Sequence, residues 1–439
     1  MHEHLPQIVR KNGKSHLVVD GQPFVILGLQ WDCDSCCSLE EMNPLFPHAA
    51  RMGANTAALP LYWREVEPEP GRYDFNLVDE RIRQAQAHSL RLVLLWFATW
   101  KNACTFYAPD YIRTDPLRFP PAIDRAGKPT ASLCPSSQTT WQHDCNALRA
   151  LMEHLRDVDR THRVIMVQIE NEPGILRSAR CHCEVCNQRF TTDQWEARMG
   201  VHAEEAFSAV SIAEYIDRLA AEAKAIYPLP LYVNVALPPA VGGIPERYFS
   251  GGAVPEMFDL VRKHLHHIDL VAPDIYSSGY RDFHRLCRTY STENNPLYVA
   301  EHSSSPEGRA ERNVFYAIGE YGAIGFDPWA IDESYPDLYA PPLVHPTSGV
   351  WAAHAYQLHD SYTALARAIT PIVAAQGTER IFTCVQEPAE KRTGWAAQGC
   401  DVLVSYHQQE GAGRGLLIQQ GPDEFLLIGV GFSVQFQRP

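Results

Sequence analysis

Eight short apolar runs rich in β-forming residues recur along this chain, and a loop and a helical pattern follow each of them. Their nearly continuous apolar character is typical of parallel strands covered on both faces. Alternating strands and helices predict a parallel sheet, and eight repeats favour an α/β fold of the (β/α)8 TIM-barrel class. The runs are Phe24–Leu29, Thr56–Leu59, Arg91–Trp96, Val164–Ile169, Leu231–Val235, Asp269–Ala272, Leu297–Ala300 and Gly322–Phe326.

A doubly wound open sheet is the alternative for such a pattern. That fold usually carries a glycine-rich, phosphate-binding turn after its first strand. Here the first strand ends in Gly28-Leu29-Gln30-Trp31-Asp32, which is not such a turn. We therefore predict a barrel, with helices that include 78–88, 141–158 and 212–226.

Two segments lie outside the predicted barrel repeat. Asn12-Gly13 and Asp20-Gly21 stand between short apolar runs and predict an N-terminal hairpin over residues 7–23. Residues 350–376 are typical of the eighth helix, and Gly-rich turns separate short strands after it. We predict a catalytic barrel over 1–376 and a small β-sandwich-like domain over 377–439. Its predicted strands are Arg380–Val385, Val402–Tyr406, Leu416–Gln419, Phe425–Val430 and Ser433–Phe436.

The charge balance and the hydropathy limit the function classes. The chain has 52 acidic and 38 basic residues, and its formal net charge is −14, which disfavours binding to nucleic acid. No apolar run approaches the roughly 20 residues that cross a bilayer. The first residues lack the basic and apolar regions of a signal peptide, so we expect a cytoplasmic protein. Its 12 cysteines are then not expected to form disulfides.

The active site of a (β/α)8 barrel lies at the carboxyl ends of its strands. The fourth strand leads into Glu170-Asn171-Glu172-Pro173, and the seventh leads into Glu301-His302. Two carboxyls about 5–5.5 Å apart across the barrel mouth support glycoside hydrolysis by double displacement. The charge of one raises the pKa of the other, which can then act as an acid. The alternatives are a helix-capping role for Glu172 and a buried Arg partner for Glu301.

Polar and aromatic residues at the same strand ends are candidates for sugar binding. Asn171 precedes the predicted acid and can bond the sugar 2-hydroxyl. Aromatic faces can stack on pyranose C–H groups, and Tyr276 can also bond the nucleophile. A Trp at a barrel rim alternatively packs under a loop. The predicted substrate-binding set is Asn171, Glu170, Tyr276, Trp100, Lys101, Asn102 and Trp329.

Three stretches, 55–75, 95–102 and 167–172, resemble clan A glycoside hydrolases, especially the β-galactosidases of families 35 and 42. Residues 413–425 resemble the small C-terminal β domain of bacterial family 35 members. The resemblance implies a retaining exo-β-galactosidase that acts on oligosaccharides without a catalytic cofactor. It also implies Glu172 as acid/base and Glu301 as nucleophile.

The chain also departs from both families. Family 42 members have a longer region after the barrel that is used for trimer formation, and the proline after Glu172 is commoner in cellulase- and mannanase-like enzymes. Two alternatives therefore stay open: another retaining β-glycosidase acting on plant-derived oligosaccharides, and a catalytically silent carbohydrate-binding barrel. Assembly into a homo-oligomer also stays open.

The cysteine spacing resembles a further feature of family 42, a Cys-x-Cys-x-x-Cys loop after the acid joined by an earlier Cys-Pro. The resemblance implies that Cys134, Cys181, Cys183 and Cys186 hold a structural zinc ion between the third and fourth loops. Four thiolates close a tetrahedral site and leave no position for substrate. The alternatives are reduced surface thiols or a disulfide. A second group of cysteines, Cys33, Cys36 and Cys37, has no assigned function.

Overall fold

A computed structural model describes residues 5–238, 243–277, 279–330, 332, 349–387, 390–407 and 412–437. The chain begins with a three-stranded antiparallel sheet, β1 (Gln7–Lys11), β2 (Lys14–Val19) and β3 (Gln22–Phe24). Asn12-Gly13 and Asp20-Gly21 make the two turns, and all four residues have positive φ. The predicted hairpin is therefore present, with one strand more than expected.

Eight parallel strands close a barrel in chain order, which confirms the predicted fold class. Six of the eight are buried at every position, because helices cover the outer face and side chains fill the interior. A β-hairpin, β7 (Pro121–Ile123) and β8 (Pro129–Leu133), lies in the loop after the third barrel strand. The barrel strands are β4 (Ile26–Gln30), β5 (Thr56–Tyr62), β6 (Arg91–Lys101), β9 (Val164–Asn171), β10 (Leu231–Ala236), β11 (Leu270–Ile275), β12 (Tyr298–His302) and β13 (Gly325–Pro328).

Helices follow each barrel strand. The predicted eighth helix is two helices, Gly349–Ala366 and Ile369–Ala375. Short 3₁₀ turns lie at Gly200–His202 and Pro306–Gly308, and a π-helical turn lies at Tyr316–Glu320. No helix in the described parts of the chain is long and apolar enough to cross a membrane. Elsewhere in the described residues, the helices are Leu39–Met42, Leu45–Arg51, Trp63–Val66, Asn76–Ala87, Asp110–Arg113, Gln138–Val158, Glu184–Thr192, Trp195–Met199, Ala203–Ile226, Phe258–Arg262, Tyr280–Tyr290 and Ala310–Phe315.

The C-terminal segment forms two antiparallel sheets of three strands each. One contains β14 (Ile381–Thr383), β17 (Arg414–Gly421) and β18 (Glu424–Val430). The other contains β15 (Arg392–Ala397), β16 (Cys400–Tyr406) and β19 (Phe432–Gln437). Strand β15 was not predicted.

The two C-terminal sheets enclose a small core of their own. Cys384, directly after β14, and Leu417 in β17 pack with Val402 and Val404 from the second sheet. Leu416 belongs instead to the main core around the barrel, so the first sheet contacts both. The small all-β architecture is as predicted, whereas the domain boundary at 376/377 stays a prediction.

Candidate active site

Three carboxyl groups meet at the carboxyl end of the barrel. Glu172 follows β9 directly, Asp274 lies in β11, and Glu301 lies in β12. One carboxylate oxygen of each residue lies within 4.8 Å of the others. The side chains are nearly inaccessible, with exposures of 7% for Glu172, 2% for Asp274 and 3% for Glu301. The structure thus brings together the pair predicted from the strand ends and adds Asp274 to it.

An irregular backbone turns both Asn171 and Glu172 toward the barrel mouth. Successive side chains of a regular strand point to opposite faces, so two neighbours cannot both face inward. Here Glu170 has a φ of +62° and Glu172 a φ of +44°, in the left-handed region that costs non-glycine residues free energy. The Glu172 N–H donates to Asn234 Oδ1 at 2.8 Å, which helps to hold this conformation.

Four donors surround the Glu301 carboxylate. The Tyr276 hydroxyl donates to Oε2 at 2.6 Å, and Gln30 Nε2 donates to Oε1 at 3.0 Å. The amides of Asn171 and Asn234 approach Oε1 at 3.4 Å each. Hydrogen bonds to an ionised carboxylate are stronger than neutral ones and fix its orientation. Gln30 and Asn234 were missed, although each is a polar residue near the carboxyl end of an otherwise apolar strand.

Burial and mutual repulsion favour protons on two of the three acids. Burial, reinforced by the charge of Glu301, raises the pKa of Glu172 to about 7, and Lys101 opposes the shift. Burial and the charges of Glu301 and Glu172 raise the pKa of Asp274 well above its usual range. Asn234 Nδ2 donates to Asp274 Oδ2 at 2.9 Å, and Asp274 Oδ1 has no hydrogen-bond partner among the described residues. A proton on Asp274 removes its charge and therefore its repulsion with Glu172 and Glu301.

Lys101 supplies positive charge beside these acids. Burial alone would lower its pKa, but Glu301, the neighbouring Cys33 thiol and Glu172 together outweigh that effect and raise it. Its ammonium group contacts the Asn102 side chain and lies 5.1 Å from the centre of the Phe97 ring. Lys101 therefore stays charged and partly balances the carboxylates.

Two of the predicted sugar-binding residues, Glu170 and Trp100, are buried in the barrel wall. Glu170 is fully buried, accepts a hydrogen bond from the Trp100 N–H at 2.7 Å, and has a pKa raised well above its usual range by burial and by Asp144. The Trp100 ring is also fully buried, and its Nε1 donates to Ser132 Oγ at 2.7 Å. Both side chains are thus buried and paired within the barrel wall, and their sugar-binding role stays a prediction.

The remaining predicted residues lie at the mouth. Tyr276 exposes 45% of its surface while its hydroxyl contacts Glu301. Trp329 meets the Tyr276 ring edge to face at 6.4 Å, and its Nε1 is buried without a partner among the described residues. Asn102 is partly exposed, and its N–H donates to the Asn171 carbonyl at 3.3 Å. These residues can contact a sugar that reaches the acids.

The four cysteines implied as metal ligands also come together. Cys134 Sγ lies 3.7 Å from Cys183 Sγ, 3.6 Å from Cys186 Sγ and 3.7 Å from Cys181 Sγ. All four sulfur atoms lie within 4.8 Å of one another, and all 12 cysteines of the chain are free of disulfides. A tetrahedral site with Zn–S bonds of about 2.3 Å has S···S edges of about 3.8 Å. The cluster is therefore compatible with a structural metal site.

Comparisons with known proteins agree with this geometry. Residues 46–200 match the β-galactosidase model of glycoside hydrolase family 42. That match contains Glu172 and confirms the resemblance to clan A and family 42. Residues 358–439 match a domain of unknown function, DUF5597. No curated protein sequence gives a significant match.

Several solved structures share the fold. A β-galactosidase from Bacillus circulans sp. alkalophilus is 15% identical with a TM-score of 0.57, covering 79% of this chain and 57% of its own. A catalytic mutant of a GH42 β-galactosidase from G. stearothermophilus is 14% identical with a TM-score of 0.59, and the match covers 87% of this chain and 60% of that enzyme. The β-amylase catalytic domain from Paenibacillus polymyxa is 10% identical with a TM-score of 0.56, and the match covers 71% of this chain and 93% of that domain.

This chain thus spans about three fifths of the length of these β-galactosidases. At these identities the similarity shows the fold, which enzymes with different named activities share.

Proposed function

We propose that this chain is a retaining exo-β-galactosidase that removes terminal β-galactosyl units from oligosaccharides. The observation that carries the proposal is the approach of Glu172 and Glu301 oxygens within 4.8 Å. Carboxyl groups of retaining glycosidases lie about 5–5.5 Å apart, whereas inverting enzymes keep about 6.5–9.5 Å to admit a water molecule. The short separation supports direct attack by a carboxylate on the anomeric carbon.

Glu301 acts as the nucleophile and Glu172 as the acid/base. A Glu301 oxygen bonds to the anomeric carbon while the glycosidic bond breaks and Glu172 transfers its proton to the leaving oxygen. The glycosyl ester removes the negative charge of Glu301, so the pKa of Glu172 falls and its ionised form is favoured. Glu172 then takes a proton from water, whose oxygen bonds to the anomeric carbon as the ester breaks.

Other residues position these groups and the sugar. Tyr276 and Gln30 hold Glu301, while Asn171 bonds the sugar 2-hydroxyl, a contact that strengthens in the transition state. Asp274 stays neutral and orients Asn234 beside both catalytic acids. Trp329, Lys101 and Asn102 line the sugar subsite. The family match supports galactose, and another β-linked sugar acted on by the same mechanism is the alternative.

Hydrolysis of p-nitrophenyl β-galactoside, β-glucoside and β-mannoside tests this proposal. We expect the galactoside to be cleaved fastest, with the β-anomer as the first product in ¹H NMR spectra. Glu172→Gln and Glu301→Gln should each lower kcat by at least about 10³-fold, the scale expected for loss of an acid/base or nucleophile. Glu153→Gln, on the exposed face of a helix, is the matched control and should retain the parent rate.

Parent rates in both catalytic variants would contradict the mechanism. Sugar binding without cleavage of any of the three glycosides would instead favour the silent carbohydrate-binding barrel. Preferential cleavage of the glucoside or mannoside would replace the galactosidase with another retaining β-glycosidase.

The cysteine cluster is proposed to hold one structural zinc ion. Four thiolates leave no coordination position for substrate, so the ion stabilises loops and takes no part in the chemistry. Cys134 follows the β7–β8 hairpin, and the His182 N–H donates to the Ile123 carbonyl of that hairpin at 2.7 Å. The ion would therefore link the hairpin to the loop that follows Glu172.

Metal analysis of the purified full chain tests the zinc site. We expect one zinc ion per chain, its loss in Cys186→Ser, and its retention in Cys287→Ser, which changes a buried thiol elsewhere. Absence of stoichiometric zinc in the parent would refute the site.

A further inference from the structure

A second polar cavity lies where the barrel meets the C-terminal segment. Its volume is about 460 Å³, within the range of small-molecule sites. Tyr280 follows the strand of Asp274, and Arg309 follows that of Glu301, so both loops extend from the acids to this cavity. Glu387, from the region that matches the domain of unknown function, closes one side.

Two buried polar atoms in its lining lack partners. His284 is 5% exposed, and its Nδ1 bonds the Tyr321 hydroxyl at 2.6 Å while Nε2 has no partner among the described residues. Arg312 is 4% exposed and donates to Glu387 Oε1 at 2.7 Å through NH2, but its Nε has no described partner. Buried donors and acceptors are nearly always paired, so His284 and Arg312 keep unused hydrogen-bonding capacity in the cavity wall.

The chemistry of the lining points to a neutral, hydroxyl-rich molecule. Arg309 and Arg312 are matched by Glu307 and Glu387, so an ion of either sign gains no net attraction. Sugar hydroxyls both donate and accept, and they can meet the guanidinium groups and the carboxylates alike. Tyr280, which is 49% exposed, offers a ring on which a pyranose can stack.

We propose that this cavity is a second sugar subsite, which binds a unit of the β-linked substrate remote from the cleaved bond. The inference rests on the proposed function for the identity of the ligand. It gives the C-terminal segment a role, because Glu387 accepts hydrogen bonds from both Arg312 and the Tyr316 hydroxyl at 2.7 Å and so completes the cavity wall.

The cavity is also connected to the nucleophile strand. Asn313 lines it and donates from Nδ2 to His302 Nε2 at 3.0 Å, next to Glu301 in β12. His302 Nδ1 donates to the Ser303 carbonyl at 2.9 Å, which leaves Nε2 as the acceptor. Burial lowers the pKa of His302 to about 4, so this neutral arrangement persists at neutral pH.

Calorimetric binding to the full chain tests the proposal, with Glu301→Gln present in every sample so that the probes stay intact. The probes are β-1,4-galactotetraose, cellotetraose and methyl β-galactopyranoside. In Tyr280→Ala we expect the Kd of the bound tetrasaccharide to rise about five- to tenfold, the scale of one lost aromatic contact. The Kd of the methyl galactoside should stay within about twofold, and the matched control Tyr280→Phe should retain tetrasaccharide affinity.

An unchanged tetrasaccharide Kd in Tyr280→Ala overturns the subsite, as does a parallel loss of affinity for the methyl galactoside. The subsite is also overturned if neither tetrasaccharide binds. Failure of the proposed hydrolysis appears separately, as an inactive parent, and does not alter these affinities.

Discussion

Replacing Glu301 with Gln should lower the pKa of Glu172, because the variant removes the charge that lies within 4.8 Å of it. At an effective dielectric constant of about 20, two unit charges at this distance interact by about 3.5 kcal/mol. One pKa unit corresponds to about 1.36 kcal/mol, so the loss of this interaction shifts the pKa by about 2 to 2.5. The pKa of Glu172 should therefore fall from about 7 to about 5.

Carbon-13 NMR of side-chain carboxyls, recorded between pH 4 and 9, measures this change directly. The Glu172 resonance is assigned by its absence in Glu172→Gln. Glu170 serves as an internal control, because it is buried in the barrel wall against Asp144 and should not follow the substitution. A Glu172 midpoint that stays near 7 in Glu301→Gln would refute the electrostatic coupling, and so would an ordinary value in the parent.

The variant also imitates the covalent intermediate, in which Glu301 is an uncharged ester. A lowered pKa in Glu301→Gln would therefore show that loss of one charge suffices to turn Glu172 from acid to base. This change of role within one catalytic cycle is what double displacement demands of the residue.

Three further predictions follow from the same geometry. The kcat/KM of the parent should fall about tenfold per pH unit above about pH 7, where Glu172 loses its proton, and Glu172→Gln should lack this limb. Asp274→Asn should leave the limb in place because burial and the charges of Glu301 and Glu172 favour the neutral form of Asp274, whereas a limb displaced to lower pH would show that Asp274 is ionised. Gly28→Ala would place Cβ 1.6 Å from Asp327 Oδ1 and should lower the unfolding free energy by about 3 kcal/mol. The matched control Gly279→Ala, whose nearest neighbouring atom is 3.8 Å away, should cost less than about 1 kcal/mol in urea denaturation, and equal losses would contradict the steric explanation.

The barrel could be predicted because its strands carry a local signal. Each strand is an apolar run of β-forming residues bounded by loops, and the carboxyl ends of parallel strands necessarily meet at one face. The convergence of Glu172 and Glu301 follows from that rule without any knowledge of side-chain geometry. Strand β15 was missed because Gly394 and alternating exposed residues weaken its apolar pattern.

Side-chain direction could not be predicted at the same level. Regular alternation along a strand would place Asn171 and Glu172 on opposite faces. Both face the mouth because the backbone at Glu172 is left-handed. The same irregularity sends Glu170 outward, where Trp100 and the buried Asp144 surround it. The pairing of β6 with β9 also shifts register between Trp96 and Lys101, which sequence periodicity does not reveal.

The central claim is that Glu301 forms a covalent bond with the sugar while Glu172 supplies the proton. Incubation with 2,4-dinitrophenyl 2-deoxy-2-fluoro-β-galactoside, followed by peptide mass spectrometry, tests it most directly, because the fluorine slows release of the intermediate. We predict one fluorosugar per chain, attached to the peptide that contains Glu301 and absent from Glu301→Gln. An adduct on another residue, or turnover with inversion of the anomeric centre and no adduct, would contradict the claim.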